Sequence, residues 1–257
     1  ASLALKRQQA MAISDTDERL QMLLDAGEQF AKIEEDALAA EVYESARQIK
    51  PNDLPILHKL LALYQKGQKW VSLFDVLRSI ADVDTDPHRR AKTLFTMGQI
   101  ASAELMDRGT ALELFDRTLD TDPSQLEAFE RIVRILTEAK DWLGLEAMYR
   151  KMISRTEGSE QKQRNESERK LLHLLHKQLG LVYRDRLGDI TQAIRSIQAA
   201  TELEPSDEET QAMLRELLSS IGQASGATQI TLDRVLRDPM NPQPYPALFD
   251  RDRDERV

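Results

Sequence analysis

Residues 20–51 read LQMLLDAGEQFAKIEEDALAAEVYESARQIKP, and the order of small, aromatic and proline residues in them decides the fold. Gly27 is followed by Phe30, then Ala39, Tyr43 and Ala46, and the stretch closes on Pro51. Gly27 and Ala39 are small where two helices would have to cross closely. Phe30 and Tyr43 are large enough to fill the space between those helices. Pro51 ends the second helix, because it has no N–H to donate and its ring clashes with the preceding turn.

The same set recurs as Gly98, Ala101, Ala111, Phe115, Thr118 and Pro123, and again as Gly180, Tyr183, Ala193, Ile197, Ala200 and Pro205. The three prolines keep the same separations as Ala39, Ala111 and Ala193. This pattern resembles the tetratricopeptide repeat (TPR), a helix–turn–helix unit of about 34 residues with a Gly, aromatic, Ala, aromatic, Ala and Pro signature. The resemblance implies an all-α fold, a right-handed α-solenoid of antiparallel helix pairs wound into a TPR superhelix.

Phasing on these sets divides residues 20–241 into six repeats of one solenoid. They span about 20–53, 54–90, 91–125, 126–172, 173–207 and 208–241. Residues 1–19 read as the second helix of an upstream repeat, and 242–257 as the truncated start of a seventh repeat and a tail. Asp15, Thr16 and Asp17 interrupt the first helix and can cap the next. Two repeats depart from the pattern. Leu61 and Val133 stand where Gly is expected, and Leu73 and Leu145 where Ala is expected. These repeats carry Trp70 and Trp142 just after their inter-helix turns, so proline-bearing and tryptophan-bearing repeats alternate. One extra residue falls in the turn near Met106 and another near Gly188. The largest irregularity is residues 154–170, SRTEGSEQKQRNESERK. Its start reads as a loop around Gly158. Residues 161–170 read as an outward extension of the first helix of repeat five.

Composition agrees with helix and narrows the function. The 257 residues are 41% hydrophobic but only 5% aromatic, and no alternating strand pattern appears. The formal net charge of −9 disfavours sequence-independent nucleic-acid binding, which needs a basic surface. The absence of cysteine removes disulfides, thiolate zinc sites and cysteine nucleophiles together. No apolar run reaches the length of a membrane span, so no membrane insertion is expected. The start does not read as a signal peptide, and the expected compartment is the cytoplasm. His173 and His176 could share a helix face, but no further ligands accompany them. They read as packing residues, as do His58 and His88, and neither a metal nor a cofactor is expected. No nucleophile elbow, phosphate-cradling loop or dinucleotide fingerprint appears, so the chain is not expected to be an enzyme.

In the TPR family the first helix of each repeat faces a concave groove. Carried onto this sequence, the resemblance places Gln21, Leu24 and Glu28 of repeat one in that groove, with His58 and Gln65 of repeat two. Repeat three gives Lys92, Phe95 and Gln99. Repeat four gives Glu127, Glu130 and Arg134, and repeat five Leu174, Lys177 and Arg184. A subfamily that clamps chaperone C-termini uses Asn on these helices. Here Asn52, Asn165 and Asn241 all lie elsewhere, which disfavours that reading. The resemblance implies a non-catalytic scaffold or adaptor that binds a partner peptide or protein. It is loosely similar to large bacterial TPR proteins of cell-envelope, motility or secretion assemblies. The alternatives are a self-associating module, as a homodimer or end to end, and a regulatory region of a larger protein with catalysis elsewhere. The apolar residues of both ends, Leu3, Leu5, Met11 and Ile13 and then Tyr245, Leu248 and Phe249, read as those of a piece excised from a longer array.

Overall fold

A computed structural model describes residues 15–158 and 165–222 of the chain. The expected first helix, repeat six beyond residue 222 and the seventh-repeat segment lie outside the described residues. Eleven α-helices and one π-helical turn make up the described part, with no strand among them. They are α1 (Thr16–Lys32), α2 (Asp36–Ile49), α3 (Leu54–Lys66), α4 (Trp70–Val83), α5 (Pro87–Ala103), α6 (Arg108–Thr121), α7 (Leu126–Ala139), α8 (Trp142–Glu157), α9 (Glu166–Val182), α10 (Ile190–Leu203) and α11 (Glu208–Gly222). The π turn, Tyr183–Leu187, continues α9.

Local sequence sets the ends of these helices. Asp15 accepts from the N–H groups of Asp17 and Glu18 and caps α1. Asp53, Asp86, Asp107 and Asp189 cap α3, α5, α6 and α10 in the same way. Each satisfies N–H groups that have no partner inside the helix, a contribution of about 1 kcal/mol. Asn165 and Glu168 form a reciprocal capping box at the start of α9. The helices before Pro51, Pro123 and Pro205 end at Ile49, Thr121 and Leu203, as the prolines require.

The helices fall in two compact units, divided between Asp141 and Trp142, inside the stretch 126–172. In the first unit, α1 to α7 each pack on the next. Their core starts with Leu20, Leu23, Phe30, Val42, Tyr43, Ile56, Leu57 and Leu60, all nearly or wholly buried. In the second unit α8, α9, α10 and α11 pack in the same sequential way. Its core includes Met152, Leu172, Leu175, Ile194 and Ile197. Burial of each such side chain is worth about 1.5–3 kcal/mol.

The repeated small residues sit where the helices cross. A methyl group on Gly27 would meet the Tyr43 ring at 2.5 Å, and one on Gly98 would meet the Phe115 ring at 2.6 Å. One on Gly180 would meet Ile197 at 2.6 Å. Ala39, Ala46, Ala111, Ala193 and Ala200 have no exposed surface, and neither does Thr118.

The two extra turn residues are absorbed differently. Between α5 and α6 the turn runs over residues 104–107, with Met106 at φ 55°. At the end of α9 the helix widens into the π turn, and Gly188 takes the left-handed conformation at φ 68°. A π turn accommodates one inserted residue without breaking the helix. The helical expectation for 161–170 holds from Glu166 onward; residues 159–164 lie outside the described residues. Gly158, at φ 66°, ends α8 as the loop reading requires.

Candidate peptide-binding faces

Three- and seven-residue spacing puts Lys92, Phe95 and Gln99 on one face of α5, and Glu127, Glu130 and Arg134 on one face of α7. Lys92, Glu127, Glu130 and Arg134 are exposed, and Phe95 and Gln99 are half-buried. The Phe95 ring tilts against Phe115 with centroids 5.5 Å apart, so its inner edge belongs to the core. Glu127 pairs with Arg131 one turn on, at 3.0 Å. Among the described residues, Lys92 and Arg134 have no ion-pair partner.

On α1 and α3 the charges are already matched. Gln21 donates to Asp25 at 3.1 Å. Glu28 forms an ion pair with Lys59 of α3, and that hydrogen bond holds the Glu28 carboxyl below its ordinary range. Lys59 also lies over the Tyr43 ring, 5.3 Å from its centroid. Leu24 is half-buried, while His58 and Gln65 are exposed.

The candidates of the second unit stand in a different setting. Leu174 is 51% exposed. Lys177 is 13% exposed and donates to Glu209 at 2.7 Å and to Asp207 at 3.2 Å. Its ammonium is pushed above the usual range, first by the Glu209 hydrogen bond. Arg184 donates to Asp185 at 2.6 and 3.1 Å.

Sequence reasoning missed the partners that join one repeat to the next. His88 meets Asp122 at 2.8 Å, and His173 meets Asp207 at 3.0 Å, each pair separated by 34 residues. That separation equals one repeat, and a search for His and Asp one repeat apart would have found both. Burial alone would raise the Asp122 carboxyl. Hydrogen bonds from Ser124, His88 and Gln125 outweigh burial and hold it at about 2. A second recurring contact joins Tyr64 of α3 to Glu44 of α2 at 2.9 Å, and Tyr183 to Glu146 of α8. Burial first, and then the carboxylate, push both phenols well above the usual range. Arg47 and Arg150 sit beside the same two carboxylates, at 3.4 and 3.5 Å.

Among the described residues, no group of three or more His, Asp or Glu is placed to hold a metal ion. No described helix is long and apolar enough to cross a membrane.

Glycine on an aromatic ring, alanine without exposed surface and proline after the second helix occupy the crossings that the repeat signature assigns to them. The helix pairs are tetratricopeptide-like. Several solved structures are similar to the chain at low identity. A MamA structure is 16% identical, with a TM-score of 0.38, over 74% of this chain and 94% of its own. YrrB, described as a TPR protein with an unusual peptide-binding site, is 10% identical with a TM-score of 0.36, over 76% of this chain and 91% of its own. The C-terminal part of a TPR protein from Cytophaga hutchinsonii is 13% identical with a TM-score of 0.41, over 83% and 78% respectively. No protein-family profile matches the sequence, and no curated protein matches it.

Proposed function

We propose that the chain is a non-catalytic interaction module that binds an acidic peptide segment of a partner protein along the first helices of its repeats. One observation carries this reading. Among the described residues, Lys92 of α5 and Arg134 of α7 are exposed cations without carboxylate partners, while Lys59, Arg131, Lys177 and Arg184 are all paired. An unpaired cation on a helix face of an acidic chain costs little in water and attracts a carboxylate from outside. Gln99, on the same face of α5 as Lys92, offers a donor and an acceptor, and the outer edge of Phe95 offers apolar area.

In this reading Glu28, His58 and Gln65 set the polar character of the neighbouring α1–α3 face. Lys177 and Arg184 act in the second unit, where an incoming carboxylate would compete with Asp207, Glu209 and Asp185. Specificity for an acidic ligand follows from charge, so binding weakens as salt rises. Within this proposal a scaffold role in a bacterial assembly is the biological setting.

An array of acidic, neutral and basic peptides with free C-termini tests the reading. The wild-type chain should prefer the acidic set, and Lys92→Glu with Arg134→Glu should abolish the preference. Equal retention of all three sets, or a preference unchanged in the double variant, overturns it.

A further inference from the structure

The helices α4 and α6 are the second helices of neighbouring repeats, and both pack on α5. Between them lies a furrow of about 300 Å³. Its floor is apolar and buried, made by Phe74 of α4, Leu94 and Met97 of α5, and Leu114 of α6. Leu94 and Met97 fall roughly opposite Lys92 and Gln99 on α5, because successive helical residues turn by about 100°. The furrow is therefore a different surface from the first-helix face.

Four exposed charges stand on its rim, Arg78 and Asp82 on α4 and Glu113 and Arg117 on α6. Among the described residues none of the four forms an ion pair. Arg78 lies over the Phe74 ring, 5.4 Å from its centroid. The furrow between α2 and α4, one repeat earlier, differs in this respect. There Asp36 pairs with Lys66 at 2.6 Å, and Glu44 holds both Arg47 and the Tyr64 hydroxyl. Arg78 stands eight residues after the start of α4 at Trp70, and Arg117 nine after the start of α6 at Arg108. The two guanidinium groups thus stand on opposite walls at nearly the same level. Each can hold a carboxylate with paired N–H donors, so an acid placed between them satisfies both. Asp82 lies one turn beyond Arg78, and Glu113 one turn before Arg117, each about 6 Å away along its helix. They repel a second acid on either side.

We propose that the α4–α6 furrow is a second docking site, which takes a partner protein segment carrying one aspartate or glutamate beside one large apolar side chain. The apolar side chain lies in the furrow against Phe74, Met97 and Leu114, and the carboxylate bridges Arg78 and Arg117. A cavity of this size is at the small end of ligand pockets, so recognition rests on that pair of side chains. Charge sets the specificity. A run of acids meets Asp82 and Glu113, and a neutral segment leaves the two cations unmatched. Because α5 separates the furrow from Lys92 and Gln99, the two surfaces bind independently, and the furrow does not depend on the ligand of the first-helix face.

Magnetic resonance of the Met97 methyl group and of the Arg78 and Arg117 Nε–H groups tests this, with three end-blocked peptides as probes. One carries a single leucine beside a single aspartate, the second has asparagine in place of that aspartate, and the third is glutamate only. The leucine–aspartate peptide should shift all three signals. The asparagine peptide should bind severalfold more weakly, and the glutamate-only peptide should leave the Met97 methyl in place. Arg78→Gln with Arg117→Gln, both at exposed positions, should bring the aspartate peptide down to the affinity of the asparagine one. Lys92→Glu with Arg134→Glu should leave its binding to the furrow unchanged, which separates this site from the first-helix face. Equal affinity for the aspartate and asparagine peptides overturns the proposal. So does undiminished binding in the Arg78→Gln, Arg117→Gln chain, or no shift of the Met97 methyl at millimolar aspartate peptide.

Discussion

Replacing Gly98 with Ala and Gly180 with Ala should have different outcomes, although the added methyl meets its nearest neighbour at the same 2.6 Å in both. In each helix the substitution removes the entropic penalty of glycine, a gain of about 1 kcal/mol. At Gly98 the methyl meets three atoms of the Phe115 ring, at 2.6, 2.8 and 3.1 Å. The ring is rigid, 1% exposed, and braced by Phe95 on another side. It cannot turn away without moving α6, and overpacking of this kind costs about 1–3 kcal/mol. Gly98→Ala should therefore lose on the order of 1 kcal/mol net. At Gly180 the methyl meets Cδ1 and Cγ1 of Ile197 at 2.6 Å and the Ala193 carbonyl oxygen at an ordinary 3.4 Å; an aliphatic chain that can turn about χ2 gives way more cheaply than a ring. There the helix gain should roughly cancel the packing cost. Thermal unfolding followed by circular dichroism reads the difference, at about 2–4 °C per kcal/mol for a chain of this size. A Gly98→Ala protein that melts at or above wild type refutes the reasoning, because the ring would then have room that the crossing denies it.

Ala193, with no exposed surface, should not accept Leu: a loss of about 1–3 kcal/mol is expected, and an unchanged melting temperature would contradict the crossing. Asp122 has its carboxyl lowered from 3.8 to about 2, so it stabilises the fold fully above about pH 4 and progressively less as pH falls toward 2. At neutral pH Asp122→Asn should cost on the order of 2 kcal/mol, and the variant should lack this part of the acid dependence when melted across that range. Met106 is 80% exposed at φ 55°, so Met106→Gly should relieve left-handed strain of about 1 kcal/mol, offset by about 0.5 kcal/mol of unfolded-state entropy. Urea denaturation should show a small gain, and a clear loss would mean that the methionine side chain stabilises the turn.

The helix crossings were legible because each has one steric solution. A glycine opposite a ring, an alanine without exposed surface and a proline after the helix leave little room for another arrangement. Positions on the first helices were legible as faces, since helical spacing alone fixes which residues share a side. What could not be read was which charges were already matched. Glu28 finds Lys59, and Lys177 finds Asp207 and Glu209, only when one repeat is laid on the next. The contacts of His173 were hidden for the same reason, since its partners lie on α10 and just before α11. The start of α9 at Glu166, ahead of His173, depends on a local capping box that the repeat phase does not contain.

The binding face of the first unit is tested most directly by amide nuclear magnetic resonance of the chain titrated with a glutamate-only peptide bearing a free C-terminus. Shifts should concentrate on α5 and α7 around Lys92, Gln99 and Arg134, shrink as salt is raised, and disappear in the Lys92→Glu, Arg134→Glu chain. Shifts confined to the second helices α2, α4 and α6, or none at a peptide concentration that saturates an ordinary weak site, would contradict the assignment.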